Sequence, residues 1–276
     1  MKLPRAIAFG FVALCLRTGG DAPGGVGPGT ELSAIDEHGE RLRFRIEAVE
    51  RDPKDAQGEV SLYTLSVRPP HSDRFVPYCA RDAEGRAAAI AVRGSWDARG
   101  DFHDEPNLVT FACTNGAIAK CVRFGYKPWK DVAGTSLRPL HLACVRMVRA
   151  DYCGDGVAHT REGTRVDLWD DVGIHPPSEL DPAAEVFEAA WSAAGAEYLA
   201  VPRWSDDVQE IVRTCPTRLR ERTSRELQLT ASEARTRFPD AVLFNARFVR
   251  PEERTAAQPV FGALPGPTGS AWGSAP

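Results

Sequence analysis

Apolar and polar side chains alternate along Leu42-Arg43-Phe44-Arg45-Ile46, and β-branched and aromatic residues dominate Leu62-Tyr63-Thr64-Leu65-Ser66-Val67. Successive side chains of a strand point to opposite faces, so both segments predict half-buried strands. Turn formers surround them: Glu37-His38-Gly39 before the first, then Asp52-Pro53-Lys54-Asp55 and Gln57-Gly58 between the two. A small antiparallel sheet over Glu31 to Arg68 is the economical reading. Ala88 to Val92 and Leu108 to Cys113 continue the β character, and Gly94 to Gly100, with Trp96, reads as a tight connection between strands.

The period then lengthens. Ala117 to Phe124 fits a short helix closed by Gly125 and stopped by Pro128. Leu140, Ala143, Cys144, Met147 and Val148 recur at spacings of three and four, which predicts a helix over Leu140 to Ala150 with one apolar face. Arg146 and Arg149 fall away from that stripe. Val157 to Thr160 and Thr164 to Trp169 predict a hairpin turning at Arg161-Glu162-Gly163. Val186 to Trp191 is apolar and helical or extended, Val208 to Thr214 predicts a helix, and Ala241 to Phe248 a last strand. The fold class predicted is α+β: an antiparallel, sheet-rich N-terminal part over residues 31–112, then a disulfide-stapled helix-plus-hairpin region over 113–250.

The ends of the chain differ from this body. Lys2 and Arg5 precede an apolar run from Ala6 to Leu16, and small, breaker-rich residues follow from Gly19, the layout of a secretory signal over residues 1–22. The run is too short for a bilayer core, which takes about 20 helical residues, and no later stretch predicts a transmembrane span. Residues 23–30 form a flexible glycine-rich linker, and the Pro, Ala, Gly and Ser content of 251–276 predicts a disordered tail. Cys15 offers lipid anchoring as an alternative, although Leu14 stands where a lipidated cysteine needs a small residue. The expected location is extracytoplasmic: secreted, periplasmic or anchored to the cell envelope.

Composition narrows the chemistry. A 43% hydrophobic fraction over 276 residues suffices for a core, and the net charge of -4, with arginines scattered among Asp and Glu, gives no reason to expect nucleic acid. Removing Cys15 with the leader leaves Cys79, Cys113, Cys121, Cys144, Cys153 and Cys215. Outside the cytosol an even set of six predicts three disulfides, among about fifteen possible connectivities. A zinc site is disfavoured because no C-x-x-C pair or Cys/His cluster occurs. A thiol nucleophile, Cys144 with His141 or Cys153 with His159, is weaker for the same oxidising reason.

The densest chemical candidate is Asp151-Tyr152-Cys153-Gly154-Asp155-Gly156 followed by Glu162. Against the calcium-loop pattern, Asp151 takes position 1, Asp155 position 5, Gly156 position 6 and Glu162 position 12, while Cys153 fails at position 3. The competing reading makes Asp151 a helix-closing residue and the glycines turn formers. Asp167, Asp170 and Asp171 add carboxylates that serve either as an acid/base pair or as a solvated edge and turn into Gly173. The tryptophans, among them Trp96, Trp129, Trp169, Trp191 and Trp204, are core anchors by default and an aromatic platform otherwise.

The string Ala150-Asp151-Tyr152-Cys153 resembles the ADYC-domain family of exported bacterial proteins. The likeness runs from Cys113 to Cys121 and Gly125 to Trp129, through His141 to Gly156, over Thr160 to Gly173 and into Phe187 to Trp191. It implies secretion or lipid anchoring and implies no particular activity. One departure is Glu197-Tyr198 after Gly195-Ala196, where similar sequences carry a cysteine. The function expected is a non-catalytic binding or structural module, without a cofactor, for an extracytoplasmic protein or glycan. The alternative is a secreted hydrolase or calcium-dependent enzyme built on the acidic loop around Asp151.

Overall fold

The computed structural model describes residues 13–14, 27–35, 41–69, 72–160, 163–176, 184–203, 208–215, 218–219 and 230–249. The expected tail, most of the expected leader, residues 23–26 of the expected linker, Trp204 and Glu162 lie outside these residues. Gly29 and Thr30, expected to belong to a flexible linker, are instead bonded to the Ile46 backbone and lead into the sheet.

The N-terminal part is a seven-stranded antiparallel sheet. Its strands are β1 (Ala13–Leu14), β2 (Glu31–Ile35), β3 (Arg41–Arg51), β4 (Ser61–Arg68), β5 (Val76–Pro77) and β6 (Ala89–Arg93). A two-residue ribbon, β7 (Ser95–Trp96) with β8 (Phe102–His103), leads from β6 into the last strand, β9 (Val109–Cys113). The order is β1-β9-β6-β4-β3-β2, with β5 beside β4. Ala13 and Leu14, from the apolar run expected to be a leader, pair with Thr110 and Val109.

Alternation decides the two faces of this sheet. Phe44, Ile46, Tyr63, Leu65, Val67 and Phe111 share one apolar cluster. Leu62, Ile90, Val92 and Ala112 belong to the other. A slip of one residue would exchange these sets, so burial on both faces fixes the register.

Next come α1 (Ala117–Arg123), the ribbon of β10 (Asp131–Val132) and β11 (Thr135–Ser136), and α2 (Arg138–Arg149). Pro139 suits the first turn of α2, where no intrahelical N–H is required. Gly125 turns the chain out of α1 with φ 97°, as the sequence predicts. A second antiparallel sheet follows from β12 (Val166–Asp170), β13 (Glu185–Ser192) and β14 (Gly195–Leu199). After α3 (Val208–Thr214) and α4 (Ala231–Arg237), β15 (Leu243–Phe248) inserts centrally to give the order β12-β15-β13-β14. One continuous core joins the first sheet, both helices and the inner face of the second sheet, including Leu168, Trp191 and Leu243. The helices are thus a layer between two sheets, and α4 covers the outer face of the second around Trp169, Tyr198 and Phe244.

All six expected cysteines are paired: Cys79 with Cys113, Cys121 with Cys144, and Cys153 with Cys215. This removes Cys144 and Cys153 as nucleophiles. The mixed, antiparallel, strand-rich class is as expected, but the hairpin is not. Residues 157–160 form no strand; the amides of His159 and Thr160 both donate to the Arg149 carbonyl, and β12 pairs with β15 instead. The Val186 segment is extended. Arg146, expected to face away from the core, is only 2% exposed.

Candidate functional site

The tetrapeptide Ala150 to Cys153 ends α2 and turns the chain toward the second sheet. Ala150 is the left-handed cap of the helix, φ 52° and ψ 41°, and is wholly buried. A non-glycine residue there costs about 1–2 kcal/mol, which the packing around a small methyl must offset. The turn directs Asp151 back on α2. Its Oδ2 accepts from Arg146 Nη1 at 2.5 Å and the Gly156 amide at 3.0 Å, and its Oδ1 from the Asp155 amide at 3.1 Å. Arg146 in turn reaches Asp101 at 2.6 Å and the carbonyls of Arg99 and Ala193. The buried guanidinium is therefore compensated by two carboxylates and two carbonyls, as burial of a charge requires.

Tyr152 points the other way, into the second sheet. Its ring stacks on Trp191 with centroids 5.3 Å apart, and its hydroxyl donates to Glu188 Oε1 at 2.7 Å. The same oxygen accepts from Arg203 Nε at 2.8 Å, while Glu188 Oε2 accepts from Asn245 Nδ2 at 2.9 Å. Asn245 Oδ1 then accepts from Trp191 Nε1 at 2.7 Å. Burial, then the Glu188 carboxylate, raises the Tyr152 pKa far above the ordinary phenol value, so the hydroxyl stays a donor. Burial alone would lower Arg203, but Glu188 and Tyr152 outweigh it and hold the guanidinium charged. Cys153 closes the motif through its disulfide to Cys215. The loop fits tightly: a Cβ on Gly154 would lie 1.9 Å from the Ala194 carbonyl oxygen.

Of the expected metal set, Asp151 is spent on Arg146 and two amides, and Asp155 is exposed and caps the Val157 amide. Glu162 lies outside the described residues. Among the described residues no three His, Cys, Asp or Glu side chains gather in a way that could hold a metal ion. A hard cation at Asp151 would displace a guanidinium, so its carboxylate fits that role poorly. Asp170 is buried rather than solvated. Its Oδ1 takes the amides of Val172, Gly173 and Ile174, and its Oδ2 takes His175 N and the Tyr126 hydroxyl. Asp167 pairs across to Ala246 on β15, and Asp171 forms an ion pair with Arg235, so the aspartates do not converge. Trp96, Trp169 and Trp191 are core and Trp129 is exposed; they make no common platform.

An open groove of about 950 Å³ lies beside the motif. Its walls are the turn at Asp82 to Glu84, the outer side of α1 with Lys120 and Phe124, the end of α2 at Val148 and Arg149, and the residues Ala158, Thr160, Gly163, Thr164 and Val166. Arg203 and Thr160 line its inner end, and Arg203 Nη1 donates to Thr160 Oγ1 at 3.3 Å. At the rim Asp82 accepts from Thr114 Oγ1 and Arg123, while Lys54 and Glu84 pair at 2.8 Å. Such a volume with mixed apolar and polar walls suits a small-molecule or peptide ligand. The groove escapes sequence analysis because its residues come from stretches of chain far apart in the sequence, from Lys54 to Arg203.

A family model described as the ADYC domain matches residues 28–205, well over half of the chain. No curated protein and no solved structure matches it.

Proposed function

The chain belongs to the ADYC-domain family, and from that premise we propose that it is an exported, non-catalytic binding module whose name-giving motif is structural and whose ligand site is the adjoining groove. One observation carries this reading. The side chains of Asp151, Tyr152 and Cys153 are engaged with Arg146, Glu188 and Cys215, while Arg203, held by that network, lines the groove. A motif consumed in internal bonds has no group left to attack, protonate or ligate a substrate. Three disulfides agree with an oxidising compartment.

The test is thermal melting of the exported protein against soluble peptides, glycans and acyl compounds, beside the variant Val148→Trp, which fills the groove. A ligand bound only by the folded state raises the melting temperature. Stabilisation lost in the variant supports the groove; stabilisation that persists moves the site elsewhere, and turnover of any compound ends the non-catalytic reading. N-terminal sequencing of the same material tests export. A start between Gly19 and Gly29 fits a cleaved leader, whereas a start before Ala13 keeps β1 in the sheet and removes the leader.

A further inference from the structure

Resting on the groove reading above, we propose that the ligand is an amphipathic anion: an oxyanion head, carboxylate or phosphate, seated at Lys120, with an apolar body along Ala117, Phe124, Val148 and Val166. Charge complementarity points this way. The whole chain carries a net charge of -4, and among the described residues the groove is lined by the cations Lys54, Lys120, Arg123, Arg149 and Arg203 and by the acids Asp82 and Glu84. Both acids are already engaged, Asp82 with Thr114, Arg123 and backbone amides, and Glu84 with Lys54. Hydrogen bonds from the Arg86 amide, Thr114, the Glu84 amide and Arg123 outweigh the burial of Asp82 and keep it below the ordinary carboxylate range, so no proton is left there to meet an anion. Arg123 is neutralised by Asp52 at 2.7 Å, and Arg203 by Glu188. Lys120, half-buried in the last turn of α1, makes no ion pair among the described residues.

A lysine is a compact point charge on a flexible stem, able to meet a small oxyanion without a fixed fork geometry. Lys120 repels a cationic head, and the apolar wall formed by Phe124, Val148 and Val166 gives a purely polar anion little to bury. An anion with an apolar body satisfies both surfaces at once.

Calorimetric titration of the disulfide-bonded protein decides this with four probes below their micelle concentrations: dodecanoate, dodecyl phosphate, dodecanol and dodecyltrimethylammonium. The expected result is binding of one or both anions, no binding of the cation, and a loss of about tenfold or more in anion affinity in Lys120→Glu, the scale of one charge-assisted contact. Dodecanoate alone would identify a carboxylate head, and dodecyl phosphate alone a phosphate head. Equal binding of alcohol, cation and anions, or an unchanged Lys120→Glu, overturns the anionic assignment and leaves the groove standing. No binding by any probe overturns the assignment too. The peptide and glycan melts with Val148→Trp then report separately on the groove. Lys120 is half-buried, and coincident unfolding curves for variant and parent confirm that the comparison is between folded proteins.

Discussion

The Tyr152 hydroxyl and the Glu188 carboxylate meet at 2.7 Å with neither side chain exposed to solvent. Glu188 also neutralises Arg203, so this contact is the point where the turn after α2, strand β13 and the inner wall of the groove are locked together. Tyr152→Phe removes one donor from Glu188 and one acceptor from the Arg203 amide, and costs about 1–3 kcal/mol. Glu188→Ala strands a buried guanidinium and costs more, about 3–5 kcal/mol. Urea unfolding monitored by tryptophan fluorescence measures both. The opposite ranking would show that the ion pair does not hold this joint.

Two glycines with similar backbones separate packing from conformation. Gly154 has φ 70° and Gly163 φ 80°, but an added Cβ would strike the Ala194 carbonyl at the first and meet nothing within 4 Å at the second. Gly163→Ala should therefore cost only the left-handed penalty of about 1 kcal/mol. Gly154→Ala should additionally force β14 away from the loop, with a much larger drop in melting temperature. Equal drops would remove the close approach as the reason for glycine.

His141 supplies a pH dependence. It is wholly buried beneath Trp96, with Nε2 against the Ile118 carbonyl, and burial lowers its pKa from 6.5 to about 4. A group whose folded pKa is depressed below its unfolded value makes the unfolded state bind more protons between the two. Stability is thus full above about pH 6.5, falls as the pH drops toward 4, and loses on the order of 3 kcal/mol across that window. Unfolding free energies between pH 7 and 4 for the parent and His141→Gln should show the slope in the parent and a flatter line in the variant. Equal slopes would assign the effect to other groups.

Calcium offers a direct check on the acidic loop. With Asp151 bonded to Arg146 and two amides, saturating calcium should leave the melting temperature unchanged, and Asp155→Ala should cost no more than its cap on the Val157 amide. A calcium-dependent rise that disappears in Asp155→Ala would revive the metal-dependent enzyme.

Helix α1 and strand β3 are legible because each buries one face and leaves a period in the sequence. β4 is legible because β-branched and aromatic residues dominate it, and α2 because its apolar residues recur at spacings of three and four, although both of these are buried on more than one side. β13 and β14 are not legible, being largely buried on both faces, so alternation disappears and a strand resembles any apolar run. Thr230 and Glu233, which form a capping box ahead of α4, are the signal in the sequence that marks the start of this helix. Arg146 misled for a different reason: a helical wheel assigns it to solvent, but Asp151, five residues on, turns back and draws it under cover. The partnership of Glu188 with Tyr152 and Arg203 is set by tertiary pairing alone, across separations of 36 and 15 residues.

The three bridges join first cysteine to second, third to fourth and fifth to sixth along the body of the chain. No covalent loop encloses or crosses another. A polypeptide threaded N-terminus first into an oxidant can thus seal each ring as soon as its second thiol emerges, before any later sulfur is present to compete. The topology favours native pairing without reshuffling, even though the last ring, 62 residues around, must wait for α3 to arrive.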